Sequence, residues 1–163
     1  MDDVVIRRAG ADRLDAVEPL YRALHTHHVE IAQVPLVDDP DVSWARRRAW
    51  YAEKLGQGAL LWIAEHAGRP VGYALAEVHP GPDDTWPVGE RYAELVSLSV
   101  DPGGRGQGIG GRLMDAVEGE LEAAGIGDLM VGVLAGNEDA VRFYARRGLV
   151  TGELIMWRFG RRP

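Results

Sequence analysis

Residues 95–114 read Leu-Val-Ser-Leu-Ser-Val-Asp-Pro-Gly-Gly-Arg-Gly-Gln-Gly-Ile-Gly-Gly-Arg-Leu-Met, and this stretch restricts the chain more than any other. An apolar run rich in β-branched residues ends at Val100. The breaker cluster Asp101-Pro102-Gly103-Gly104 follows, and a glycine-rich turn then opens into a helical pattern carried by Leu113, Met114 and Val117. The spacing predicts a strand, a loop and a helix start. Gly106, Gly108, Gly110 and Gly111 crowd this loop, so its backbone can approach a ligand without Cβ interference. Free N–H groups at the positive end of a helix dipole attract phosphate oxygens. The expectation is an anion, a pyrophosphate, held at residues 105–111.

Three kinds of phosphate loop compete for the stretch. A kinase-type loop needs Gly-x-x-x-x-Gly-Lys-Ser/Thr; Gly103 to Gly108 has the spacing, but Ile109 stands where the lysine would reach the outer phosphates. A dinucleotide fingerprint is present as Gly106, Gly108 and Gly111. Asp-Pro-Gly-Gly-Arg separates it from its strand, and Asp128 falls at the start of the next strand, out of reach of a ribose at the carboxyl end. The third pattern, Arg/Gln-x-x-Gly-x-Gly/Ala, is matched by Arg105-Gly106-Gln107-Gly108-Ile109-Gly110.

That third pattern resembles the acetyl-CoA pyrophosphate loop of the GNAT superfamily of N-acetyltransferases. The strand end Ser97-Leu98-Ser99-Val100-Asp101-Pro102 has the form usual before that loop. Downstream, Asn137-Glu138-Asp139-Ala140-Val141-Arg142-Phe143-Tyr144-Ala145-Arg146-Arg147-Gly148-Leu149 repeats the family order of an Asn, a helix with a Phe-Tyr pair, and a Gly. Two separated motifs in register are far more specific than one. The resemblance covers residues 92–159 well and the first half of the chain in pattern only.

At 163 residues the chain is long enough for one core, and 46% hydrophobic with 26% charged residues suits a soluble globular protein. The absence of cysteine excludes disulfides, thiolate metal sites and a cysteine nucleophile. No apolar run approaches a membrane span, and the acidic start differs from a secretion signal, so the cytoplasm is the expected location. A net charge of -7 argues against a nucleic-acid surface and favours a cationic partner.

In chain order, Val4 to Arg8 reads as a strand. A helix follows from about Asp12 through Leu14, Val17, Leu20, Tyr21, Leu24 and His28, with Pro19 implying a kink or boundary. A second helix starts near Pro40, capped by Asp41 or Ser43, and runs to Gly56. Ala59 to Glu65 and Val71 to Val78 read as a hairpin, His79 to Gly89 as a long loop, and Tyr92 to Val100 as the central strand. Then come a helix over Arg112 to Ala124, a strand over Leu129 to Leu134, a helix over Glu138 to Arg147 and a closing strand over Leu149 to Phe159.

Such an order predicts a mixed sheet with helices on both faces. The resemblance implies more: an α/β, or mixed α+β, GNAT-like single domain over residues 1–163. Its sheet would be mostly antiparallel, of six to seven strands, and splayed between the strands at 92–100 and 129–134. Backbone groups of Leu98, Ser99 and Val100 would meet a pantetheine arm in that gap. Arg105, Gly106, Gln107, Gly108, Ile109, Gly110 and Gly111 would hold the pyrophosphate, with Asn137, Ala140 and Phe143 also touching the cofactor. Acetyl-CoA is the implied co-substrate, with no metal.

Acetyl transfer needs a base for the incoming ammonium and an acid for the departing sulfur. By resemblance Tyr144 is the acid and Glu94 the base, with Ser97 and Ser99 available to steer a water. The plain alternatives are helix-face packing for Tyr144, a solvated glutamate for Glu94, a helix cap for Asn137, and serines merely alternating out of the core. His25 and His28 lie one helical turn apart, yet no third ligand has metal-like spacing, so surface or wall histidines are expected. Arg46-Arg47-Arg48 and Arg161-Arg162 read as solvated, and Trp44, Trp50 and Tyr51 as core. In this family the first helices and the long loop line the acceptor side, where Glu30, Asp38, Asp39, Asp83 and Asp84 fall. The implied activity is acetyl transfer to a primary amine of a small molecule or peptide. A non-catalytic acetyl-CoA-binding module and a nicotinamide-type site remain open, as does a homodimer pairing its last strands.

Overall fold

The computed structural model describes residues 3–82 and 85–160. Its strands are β1 (Val4–Ala9), β2 (Leu60–His66), β3 (Arg69–Pro80), β4 (Arg91–Val100) and β5 (Leu129–Val131). Its α-helices are α1 (Leu14–Ile31), α2 (Pro40–Gly56), α3 (Ile109–Ala123) and α4 (Glu138–Ala145). The strands lie in one sheet in the order β1-β2-β3-β4-β5. The first three pairings are antiparallel and β4–β5 is parallel. Ala67 and Gly68, both at positive φ, make the tight turn between β2 and β3.

Alternation along the strands sends side chains to two cores. Trp62, Ala64, Ala74, Ala76, Ala93 and Leu95 pack beneath α3 with Leu113, Met114 and Val117, and Tyr144 of α4 joins them. Leu61, Ile63, Tyr73 and Leu75 pack on the opposite face against Leu14, Val17 and Leu20 of α1 and Trp44 and Tyr51 of α2. Helices thus cover both faces. Within the second core a chain of hydroxyls runs from Tyr51 to Tyr73 (3.1 Å) to Ser97 (3.0 Å), which satisfies groups that burial would otherwise penalise.

Several elements depart from the sequence expectation. The sheet has five strands among the described residues, not six or seven. Residues 149–159 form no strand, and Val150, Leu154, Met156 and Trp157 are exposed. The strand expected over 129–134 stops at Val131, where Gly132 weakens extended pairing and leaves a short template for a further strand. Pro19 lies inside an unbroken α1. It and Asp15, whose carbonyl loses its helical partner, are both exposed, so water can reach that carbonyl. The α2 cap is Asp39, whose Oδ1 accepts from Asp41 N–H (2.8 Å) and Val42 N–H (3.1 Å), with Pro40 opening the helix. No helix among the described residues is long and apolar enough to cross a membrane.

Candidate active site

Two features of β4 open the sheet. Its rungs with β5 are Ala93–Leu129, Glu94–Met130 and Leu95–Val131, and none follows. Its register with β3 passes from Ala76–Leu95 to Leu75–Ser97, so Val96 is the extra residue of a bulge. The bulge resets the side-chain alternation. Leu95 belongs to the α3 core, while Val96 packs against the α1/α2 core and Ser97 bonds into it. Residues 97–100 stay paired to β3 but have no β5 partner opposite them, so their other edge faces the gap expected between 92–100 and 129–134.

The glycine loop sits where that gap ends. Asp101 Oδ2 accepts from Gly103 N–H (3.0 Å), fixing the turn around Pro102, and Gln107 Nε2 donates to the Gly103 carbonyl (2.9 Å). Gly106 and Gly108 both take positive φ, +75° and +78°. A β-carbon at either would meet nothing within 4 Å, so the space over the loop is open. No side chain caps α3, and its first backbone bond is Arg112 N–H to the Gly108 carbonyl. The N–H groups of Ile109, Gly110 and Gly111 therefore face outward at the positive helix end. The Ile109 side chain is buried under the loop, so only its backbone is on offer. A diphosphate fits this cradle of open space and uncapped donors.

From the other side, α4 approaches the loop. A β-carbon on Gly110 would lie 3.6 Å from Phe143 Cζ, an ordinary contact. Phe143 packs edge-on to Tyr144, and Ala140 joins the same core. Asn137 caps α4, its Oδ1 accepting from Ala140 N–H at 3.1 Å. Tyr144 is 8% exposed, its hydroxyl makes no hydrogen bond among the described residues, and burial pushes the phenol up to about 12. It is a fully protonated hydroxyl at neutral pH. Glu94 lies on the opposite face of the sheet, its side chain 35% exposed, with His79 Nε2 3.3 Å from Oε2. Glu94 itself pairs with Met130 of β5, one rung before the last, so it stands just short of the gap.

Other expected residues are placed differently. Ser97 and Ser99 are buried, Ser97 bonded to Tyr73 and Ser99 Oγ donating to the Leu20 carbonyl (3.0 Å), so neither is free to steer a water. His25 is buried in the wall of a small cavity, one of the two places expected for it, with Nε2 donating to the Val37 carbonyl at 2.6 Å. Arg47 is not simply solvated: its guanidinium lies over Tyr21, Trp50 and Tyr51 at 5.5, 5.3 and 5.5 Å. Arg48 is exposed and pairs with Asp15. Glu30 and Asp38 line one small cavity of about 160 Å³ with His25, Thr26, Val29 and Pro40. Asp39 is occupied as a cap; Asp83, Asp84, Arg161 and Arg162 lie outside the described residues. The sequence reading missed His79, because β3 extends two residues beyond the expected hairpin strand and carries it into line with β4.

Comparison with known proteins converges on one family. The sequence model of the Acetyltransferase (GNAT) family matches residues 18–149. A mycothiol acetyltransferase from Kocuria rhizophila is 30% identical over 129 residues, 77% of this chain and 40% of that protein. The chain thus spans about two fifths of the length of that curated relative. A GCN5-related N-acetyltransferase from Ralstonia eutropha superposes with a TM-score of 0.77 at 22% identity, over 96% of this chain and 98% of that one. A predicted acetyltransferase from Clostridium acetobutylicum, solved with acetyl-CoA, superposes with a TM-score of 0.71 at 18% identity, over 95% and 96%.

Proposed function

Since this chain belongs to the acetyltransferase (GNAT) family, we propose that it transfers the acetyl group of acetyl-CoA to a primary amine by direct attack of the amine nitrogen. The observation that carries this reading is the meeting of the β4–β5 gap with the uncapped, glycine-opened start of α3. Acetyl-CoA, when bound, supplies the thioester. The backbone N–H groups of residues 106–111 bind its diphosphate, with Arg105 adding a positive charge at the rim. The free edge of Leu98, Ser99 and Val100 aligns the pantetheine amides as an added strand would be aligned. Asn137, Ala140 and Phe143 close the gap from the α4 side.

A primary ammonium near pKa 10.4 is neutral in only about one molecule per thousand at pH 7, a deficit of roughly 4 to 5 kcal/mol. Glu94 takes that proton. As the new C–N bond forms and the C–S bond breaks, Tyr144 gives its phenolic proton to the departing sulfur and later regains one from solvent. Each such transfer is typically worth about 10² to 10⁴ in rate. Glu30 and Asp38, on the α1/α2 side, favour a cationic acceptor.

The test is direct. Thermal shift with acetyl-CoA and NAD in parallel should show stabilisation by acetyl-CoA alone. An amine panel should then release free CoA thiol and give products heavier by one acetyl group. Stabilisation with no product across a broad panel supports a binding module instead, and stabilisation by NAD alone overturns the loop assignment.

A further inference from the structure

Glu77 on β3 and Glu94 on β4 are direct cross-strand partners. Like charges placed opposite each other destabilise a sheet, so each carboxylate needs a counterpart. Lys54 Nζ, reaching up from α2, lies 3.0 Å from Glu77 Oε1. His79 Nε2 lies 3.3 Å from Glu94 Oε2. The two counterparts differ in kind: the lysine brings an ammonium on a flexible stem, the histidine a ring N–H donor held by its strand. His79 Nε2 is buried and makes no hydrogen bond among the described residues; it stands within reach of Glu94 without being aligned on it. The Tyr92 ring, 5.2 Å away, lies alongside the imidazole.

We propose that His79 is the positioning residue for Glu94: a small turn of the ring lets its Nε2–H donate to one carboxylate oxygen and leaves the other for the incoming ammonium. The inference rests on the reading of Glu94 as the base. In the step it serves, an N–H bond of the ammonium breaks as an O–H bond forms on the free oxygen of Glu94. His79 keeps its own proton, and Glu94 releases the acquired one to water after the product leaves. Glu77, His79 and Glu94 also bring one ligand atom each within 4.8 Å of one another, a spacing open to a divalent cation. The Lys54 ammonium already beside Glu77 favours the hydrogen-bonding role over a metal. The groups facing His79 are Glu94 and Tyr92 on β4, Glu77 on its own strand, and Lys54 beyond it.

The experiment compares His79→Ala, His79→Gln and Glu94→Gln with the parent protein, following kcat and the amine KM across pH. Gln places an N–H donor near the position of Nε2 but cannot gain a charge. His79→Ala should lower kcat about tenfold, the size of one lost hydrogen bond to a charged group, with the KM for acetyl-CoA unchanged. His79→Gln, which keeps an N–H donor, should recover most of that rate. In a Glu94→Gln background, His79→Ala should have no further effect on kcat. Three results overturn the proposal: a parental rate and pH profile in His79→Ala, equal losses in Ala and Gln accompanied by a lower melting temperature, or activity that chelation removes and zinc restores. If Glu94→Gln alone keeps the full rate, it is the base assignment that fails, and the two failures are thereby separated.

Discussion

Leu95 and Val131 form the last rung between β4 and β5, and the residue after Leu95 is the bulged Val96. The two facts have one consequence: the strand bends away from its parallel neighbour at the point where pairing ends. A bulge increases local twist, and a three-residue β5 has no length to follow it. The sheet therefore opens above the α3 start, and the loop predictions begin there.

Gly108 stands at φ +78° with nothing within 4 Å of where a β-carbon would sit. Alanine there meets no atom but must adopt a left-handed backbone, at a cost of about 1 to 2 kcal/mol, or else the loop relaxes and turns its N–H groups aside. Gly108→Ala should weaken acetyl-CoA binding about tenfold or more in titration calorimetry. Gly119, inside α3 and exposed, also has open space but an ordinary φ. Gly119→Ala should stabilise the fold by about 0.5 to 1 kcal/mol with no change in affinity.

The loop and its two neighbours were legible in sequence because their signals are local: glycines at fixed spacing, an Asp-Pro breaker, and an Asn at a helix start. Tyr144 and Glu94 were singled out through the family resemblance those local motifs carry, and their roles belong to the proposal. What escaped depends on pairing between distant residues. The Val96 bulge shifts register by one residue, and no local pattern in Leu-Val-Ser announces it; with it went the partners of Ser97. His79 escaped because β3 runs two residues past the expected strand. Arg47 reads as one of three solvated arginines until α1 and α2 pack and place three rings around it. The apolar run over 149–159 carries a strand-like composition, but strand formation needs a template, and β5 ends too soon to provide one.

Tyr144→Phe removes a hydroxyl that makes no hydrogen bond among the described residues, so the fold should lose little; the expected change in melting temperature is about 2 °C or less. As the acid, its loss should lower kcat by about 10² while the dissociation constant for acetyl-CoA stays within about twofold. Parallel losses of affinity and rate would instead make Tyr144 a packing residue. The same residue bears on alkaline stability. Its folded value of about 12 stands above the ordinary 10.0, so the stability tied to the buried phenol is whole below pH 10.0 and falls as pH rises towards 12. Tyr144→Phe should make the denaturant midpoint less sensitive to pH in that range.

Gly136 lies against the carboxyl end of α1, where an added β-carbon would come 2.2 Å from the Ile31 carbonyl oxygen. Backbone cannot swing aside as a side-chain tip can. Gly136→Ala should destabilise by about 1 to 3 kcal/mol, read as a lower urea midpoint, and should disturb the neighbouring Asn137 cap. Unchanged stability would mean that the α1 end and the 132–137 segment are not held in contact.

His28 sets the acid side of stability. Burial is the first cause that moves its imidazole from the ordinary 6.5 down to about 4, and the nearby His27, Arg47 and His25 add to it. Between those two values the unfolded chain takes up a proton that the folded chain refuses. The stability His28 contributes is therefore complete above pH 6.5 and drains away as pH falls towards 4. Because the ring is only partly buried, water and small rearrangements limit the loss. Urea midpoints taken at half-unit steps from pH 7 to pH 4 should fall more steeply in the parent protein than in His28→Gln, with the curves closest at neutral pH. Identical slopes in the two proteins would move the acid sensitivity away from this ring and onto the carboxylate pairs of the surface.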